Sequence, residues 1–140
     1  MIYLDTSVLA ALYWAEALSD IVEELVLVES ELGLSQLVEV ELFSALSRRV
    51  RMREISPEEA TAIVQRFQAD LDSSFYTCIA VEPIHYNLAR EWISRFETPL
   101  RTLDALHLAI ASQNNIRLVT ADEALAASAG VLGVEFQLLR

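Results

Sequence analysis

Lysine is absent from the sequence, cysteine occurs once, and glycine and proline supply only three residues each among 140. A lone Cys78 excludes an intrachain disulfide, and no C-x-x-C pairing is present from which to build a zinc site. Scarce glycine and proline exclude collagenous and linker-like sequence and disfavour a turn-dense β-sandwich. Gly33, Gly130 and Gly133 form neither a G-x-x-x-x-G-K-[ST] phosphate loop nor a G-x-G-x-x-G dinucleotide turn, which disfavours nucleotide-cofactor chemistry. His85 and His107 lack a G-x-S-x-G nucleophile elbow, so a hydrolase triad is not indicated. The apolar run Val8 to Ala15 is far shorter than the roughly 20 residues of a membrane span, and no basic segment precedes it. With a single unpaired thiol, this predicts a cytoplasmic protein with no membrane association.

What is present is apolar and acidic. Hydrophobic residues make up 54% of the chain, and 21 acids against 10 arginines give a net charge of −11. One domain over residues 1–140 with a real core is expected. A general electrostatic grip on nucleic acid is not.

Ile2-Tyr3-Leu4 reads as a short strand, and Asp5-Thr6-Ser7 then favours the start of a helix through Val8 to Trp14. Further helices are predicted over about Ser19–Glu29, Gln36–Met52, Ser56–Asp72, Ile84–Phe96 and Thr102–Asn114. The third, Gln36–Met52, reads as apolar around most of its circumference. Ser56-Pro57-Glu58-Glu59 is the clearest helix start, with a capping serine, proline at the first helical position and glutamate at the third. Strands are expected at Leu32–Ser35, Tyr76–Val81, Ile116–Thr120 and Val134–Phe136. Thr120 and Glu123 form a capping box for a helix to about Ala129. Strands separated by helices, without hairpin signals, imply parallel pairing. The fold class is therefore α/β, a three-layer domain with a short central parallel sheet flanked by helices.

The remaining chemistry is carboxylate chemistry. Asp5 directly follows a strand, and Asp122 lies two residues beyond another, so both open on the strand ends that form the ligand crevice of a parallel sheet. Each also has a plainer use at a helix start. Asp104 sits in Leu103-Asp104-Ala105-Leu106-His107-Leu108-Ala109, where a charge must be paired, neutralised or metal-bound. His107 reads there as a satisfied core or rim histidine. Glu39 and Glu41 are both acids within an apolar helix. Glu41 shares its face with Ser44, Ala45 and Arg48, which favours it over Glu39 without excluding the latter. Four carboxylates converging on one crevice would repel one another unless cations screened them, and an all-oxygen site suits Mg²⁺ or Mn²⁺. Such ions support in-line displacement at a phosphodiester.

Ile2-Tyr3-Leu4-Asp5-Thr6-Ser7, Val40-Glu41-Leu42, Leu103 to Ala109, and Leu118-Val119-Thr120-Ala121-Asp122 stand in an order and spacing that resembles a PIN domain, most closely the short VapC-type toxin ribonucleases. Each motif is short, and the four in register span nearly the whole chain. The resemblance implies that Asp5, Glu41, Asp104 and Asp122 form an acidic catalytic and metal-binding set, with Asp5 and Asp104 the principal ligands. It makes Thr120, and Thr6 with it, supporting hydroxyls. It implies a Mg²⁺- or Mn²⁺-dependent endoribonuclease acting on structured transfer or ribosomal RNA and arresting translation. A homodimer and a cognate VapB-like antitoxin that blocks the acidic site are implied as well. Three other readings are an RNA-processing nuclease without an antitoxin, a catalytically inactive binding module, and a purely structural α/β domain in which the acids are helix caps.

Arg48, Arg49, Arg51 and Arg53 are the only dense basic cluster. Arg48 and, separately, Arg101 are candidate contacts to RNA phosphates, which position a substrate without reading its sequence. A solvated helix end whose cations complement the dipole is the alternative for the cluster. Tyr13, Trp14 and Trp92 are either apolar anchors for a partner or core aromatics.

Overall fold

Ile2, Tyr3 and Leu4 are all buried in the computed structural model, which describes residues 1–140. A strand apolar on both faces needs cover on both, and this one, β1 (Ile2–Leu4), is the middle of a five-stranded parallel sheet. The chain leaves it at Asp5 to form α1 (Thr6–Tyr13) and α2 (Ser19–Val28), then returns as β2 (Leu32–Ser35). Ile2 registers with Leu32 and Tyr3 with Gly33. A Cβ on Gly33 would stand 2.8 Å from Ile79 Cδ1 and 3.2 Å from the Ile2 carbonyl oxygen, so any side chain here would displace Ile79 and crowd the β1 backbone.

α3 (Gln36–Arg51) and α4 (Pro57–Asp72) lead to β3 (Thr77–Ile79), the edge strand beside β2. The Ser56–Glu59 capping box forms in full, with Ser56 Oγ accepting from the Glu59 N–H at 3.0 Å and Glu59 accepting from the Ser56 N–H at 3.2 Å. α5 (Pro83–Ser94) and α6 (Thr102–Gln113) then carry the chain across to β4 (Arg117–Thr120), which pairs with the other side of β1. α7 (Glu123–Leu132) and β5 (Phe136–Leu138) complete the order β3-β2-β1-β4-β5. The order of strands reverses at β1, so the carboxyl ends of β1 and β4 border the crevice where such sheets place ligands.

Three local expectations change. α3 is not apolar all round: Val38, Leu42 and Leu46 line one buried stripe, whereas Val40 is 68% exposed and Phe43 also faces solvent. α7 is capped by Asp122 rather than Thr120, because the Thr120 hydroxyl is already committed to Asp5. β5 begins two residues later than Val134. Gly133 takes the left-handed conformation (φ 72°) that closes α7, and the Val134 N–H bonds back to the Ala129 carbonyl at 2.9 Å, so Val134 belongs to the helix cap.

Tyr13 and Trp92 are buried in the core. The Tyr13 hydroxyl donates to Asp70 at 2.6 Å and lies 2.7 Å from that of Tyr76, while Arg49 stacks over Trp14 at 5.1 Å. Packing, rather than an open partner surface, occupies Tyr13 and Trp92. No helix is long and apolar enough to cross a membrane.

Candidate functional site

Asp5 sits where β1 ends, and its backbone N–H bonds to the Val119 carbonyl of β4 at 3.1 Å. Its side chain is 5% exposed. One carboxylate oxygen accepts from Ser7 Oγ at 2.5 Å and from the Val8 N–H at 3.1 Å, capping α1, and the other accepts from the Thr120 hydroxyl. The Ser7 hydroxyl oxygen accepts from the Ala121 N–H at 3.1 Å, and Thr120 Oγ1 accepts from the Asp122 N–H at 3.0 Å. The two strand ends are thus tied together through one carboxylate. Burial pushes the Asp5 carboxyl above its usual range, while the Ser7, Thr120 and Val8 hydrogen bonds and the His107 side chain oppose the shift. Three donors use about three of the roughly four acceptor positions of a carboxylate, leaving capacity for one more ligand.

Asp104 occupies the first turn of α6 and is half-buried. Desolvation raises its carboxyl, the charges of Asp122 and Glu41 raise it further, and a backbone hydrogen bond at Arg101 and the His107 side chain pull the other way. Asp122 caps α7 through a single oxygen, which accepts from the Ala124 N–H at 2.9 Å and the Leu125 N–H at 3.1 Å. Glu41, on α3, is met by His107 Nε2. His107 is 3% exposed, and its Nδ1 lies 2.7 Å from the Tyr3 hydroxyl, which lies 2.7 Å from Ser35 Oγ. The Tyr3 hydroxyl is held far above its ordinary value by burial, and the charges of both Glu41 and Asp5 act on it in the same direction.

Asp104 thus lies within electrostatic reach of Asp122 and Glu41, and Asp5 and Asp104 both lie within reach of His107. No arginine forms an ion pair with any of them. No three histidine, cysteine or carboxylate side chains stand close enough together to make a complete cation cage. Each carboxylate that has a partner in the fold is turned to it: Asp5 to Ser7, Val8 and Thr120, Asp122 to the α7 amides, Glu41 to His107. These side chains offer only carboxylate oxygens, and the like-charge pressure at Asp104 is the kind a hard divalent cation relieves, so the chemistry of the residues present fits such an ion.

Other singled-out residues fall elsewhere. The Thr6 hydroxyl is buried without a hydrogen-bond partner, and it is Ser7 that reaches Asp5. Glu39 lines a groove beside β3 with Gln36, Leu71 and Ile79, away from His107. Arg48 is exposed in a groove of about 360 Å³ with Trp14, Ala45 and Met52, and Arg101 is exposed at the start of α6. Sequence reasoning overlooked Ser7, Tyr3 and Ser35. It also left His107 as a satisfied histidine, which it is, without seeing that Glu41 is what satisfies it. The available signal was spacing, since Asp104 and His107 lie three residues apart and share a helix face.

The fold is that of several solved structures. VapC20 from Mycobacterium tuberculosis, described as a sarcin-ricin loop cleaving toxin, superposes with a TM-score of 0.72 at 22% identity, covering 91% of this chain and 95% of that one. VapBC2 from Rickettsia felis, bound to a promoter DNA fragment, gives a TM-score of 0.71 at 16% identity over 100% of both chains. FitAcB from Neisseria gonorrhoeae gives 0.72 at 18% identity over 97% and 96%. At these identities the likeness is one of fold. No curated protein matches the chain in sequence. The model of the PIN domain family, however, matches residues 2–131, which hold four of the five strands and every helix but the last residue of α7, and the chain belongs to that family.

Proposed function

We propose that the protein is a Mg²⁺- or Mn²⁺-dependent endoribonuclease, the toxin of a VapBC-like toxin–antitoxin pair, that cuts structured transfer or ribosomal RNA and so inhibits translation. The observation that carries this reading is the set of acids near the sheet edge: the charges of Asp122 and Glu41 raise the cost of ionising Asp104, and no arginine pairs with any of the three. Asp5 and Asp104 would be the principal ligands of the ion, with Glu41 and Asp122 completing its surroundings. Bound there, the ion's contribution is Lewis-acid stabilisation of the charge that builds on a phosphodiester during in-line attack by water. Ser7 and Thr120 fix both oxygens of Asp5 before substrate arrives, so the carboxylate pays no reorganisation when it takes up its ligand. Asp122 keeps one oxygen free while the other caps α7. Arg48 and Arg101, both exposed, hold RNA phosphates.

The likeness to VapC20 supports an RNA substrate of the sarcin-ricin loop kind, and the likeness to VapBC2 supports an antitoxin partner. A net charge of −11 suits a basic antitoxin segment. Leu27 and Val28, 84% and 80% exposed at the end of α2, suit burial against a second copy in a homodimer. A protein that cuts transfer or ribosomal RNA in this way acts in the cytoplasm. The test is cleavage of total cellular RNA by purified, antitoxin-free protein and by Asp104→Asn, each with Mg²⁺, Mn²⁺ or excess EDTA. Discrete fragments that require both the ion and Asp104 are expected. A folded, Mn²⁺-binding wild type that cleaves nothing across a broad RNA panel would refute the nuclease and favour a binding module.

A further inference from the structure

The proposed acids are not all positioned in the same way. Asp5 and Asp122 are fixed by main-chain and hydroxyl donors close in the chain or on the adjoining strand, but Glu41 sits on a helix face with no such neighbour. Its partner is a buried imidazole from α6. Behind that imidazole lie Tyr3 on β1 and Ser35 at the end of β2, so four residues from four elements form one hydrogen-bonded row, Ser35–Tyr3–His107–Glu41.

With the imidazole neutral, the row has one consistent direction. A carboxylate only accepts, so His107 Nε2 carries the proton and donates to Glu41. In the neutral imidazole, Nδ1 then accepts, and the partner that donates to it is the Tyr3 hydroxyl, which burial keeps protonated. The Tyr3 oxygen, its O–H donating to Nδ1, accepts a hydrogen bond from the Ser35 hydroxyl, consistent with Ser35 acting to lower the Tyr3 value. Every polar atom in the row is satisfied in this arrangement, and reversing it leaves Glu41 without a donor.

We propose that His107 is a positioning residue for Glu41, holding that carboxylate in place for the divalent ion, with Tyr3 and Ser35 fixing the imidazole tautomer. The inference rests on the proposed cation site and adds to it a residue outside the acidic set. A side chain that orients a ligand typically contributes 10–100-fold to metal affinity. Without His107, Glu41 must be frozen from its free rotamers when the ion binds, at an entropic cost now met on folding.

The test is isothermal titration of Mn²⁺ into the purified protein, with ¹⁵N spectra of the histidine rings and thermal melts as a control on folding. In the wild type, His107 should show the Nε2–H tautomer. His107→Leu, which retains the apolar volume, should weaken Mn²⁺ binding about tenfold, and His107→Gln, whose amide can donate to Glu41, should recover most of that loss. Tyr3→Phe should mix the tautomers and weaken binding to a smaller extent, with no further effect in the His107→Leu background. Wild type that binds Mn²⁺ with His107→Leu binding equally tightly would overturn the positioning role and leave the nuclease reading intact. Wild type that shows the tautomer yet binds no Mn²⁺ would overturn both. A wild-type His107 in the Nδ1–H tautomer would overturn the row itself.

Discussion

Replacing Asp104 by Asn removes one charge from a half-buried position and keeps the side chain's shape. Asp104 is pushed above the usual carboxyl value of 3.8 by burial, then by Asp122. A group whose value is raised on folding favours the folded state below the unfolded value and loses that contribution as pH rises through the folded value. At pH 7 the ionised Asp104 is therefore a net cost, and Asp104→Asn should be more stable than wild type. Substitutions that relieve such functional strain commonly gain 0.5–2 kcal/mol, and partial solvent screening at Asp104 places the gain near the middle, about 1 kcal/mol. With an unfolding entropy of about 2.1 cal/mol/K per residue, the 140-residue chain loses or gains about 3 °C in Tm per kcal/mol. Thermal melts at pH 7 should show the variant about 3 °C higher, and the gap should close as pH falls toward 4. Adding Mg²⁺ at ten times its Kd should raise wild type by about 1.4 kcal/mol and the variant by much less, erasing the difference. An Asp104→Asn that melts below wild type at pH 7, or a gap indifferent to pH, would refute the claim that Asp104 is electrostatically uncompensated.

Thr120→Val removes a fully buried hydroxyl that donates to Asp5 and accepts from the Asp122 N–H; it should cost about 1–3 kcal/mol by chemical denaturation, whereas Thr120→Ser should cost less. Asp122→Asn retains a capping oxygen and should leave Tm nearly unchanged, while Asp122→Ala should lose about 1 kcal/mol; in a cleavage assay both should be impaired, which separates the cap from the chemistry. Gly33→Ala drives a methyl into Ile79 and the Ile2 carbonyl and should lower the denaturation midpoint by the equivalent of 1–3 kcal/mol with an unchanged m-value.

Much of the fold was legible because its punctuation is local. Ser56-Pro57-Glu59 fixes the start of α4 from four residues, and Leu32–Ser35 is a strand bounded as the sequence suggests. What failed was decided by geometry that composition and periodicity do not record. Thr120 is as good a cap as Asp122 by composition, but its hydroxyl is taken by Asp5, 115 residues away in sequence. The β5 register depends on a left-handed Gly133 that draws Val134 into the α7 cap. α3 looked apolar all round because periodicity counts residues, whereas burial depends on which stripe meets the sheet. The same holds for the acids. Asp5 and Asp122 could be placed from the strands they follow, and helical spacing within α3 favoured Glu41 over Glu39, but the imidazole that meets Glu41 lies 66 residues along the chain and could not be read from that spacing.

The acids also differ in what the fold asks of them. Asp5 caps α1, accepts Thr120 across the sheet and shares Ser7 with the backbone of Ala121, so it joins β1 to β4 whatever else it binds. Its burial is offset by three donors. Asp104 has only the Arg101 backbone hydrogen bond at the start of α6 and the His107 side chain to set against desolvation and two like charges, and its carboxylate ties α6 to no other element. A substitution at Asp5 therefore changes strand-end geometry and chemistry together, and loss of cleavage there has two readings. At Asp104 the two effects have opposite sign, stability rising as function falls. An inactive but more stable Asp104→Asn separates chemistry from fold in a way that no variant of Asp5 can, because the residue least compensated by the protein is the one whose charge has the least structural reason to be there.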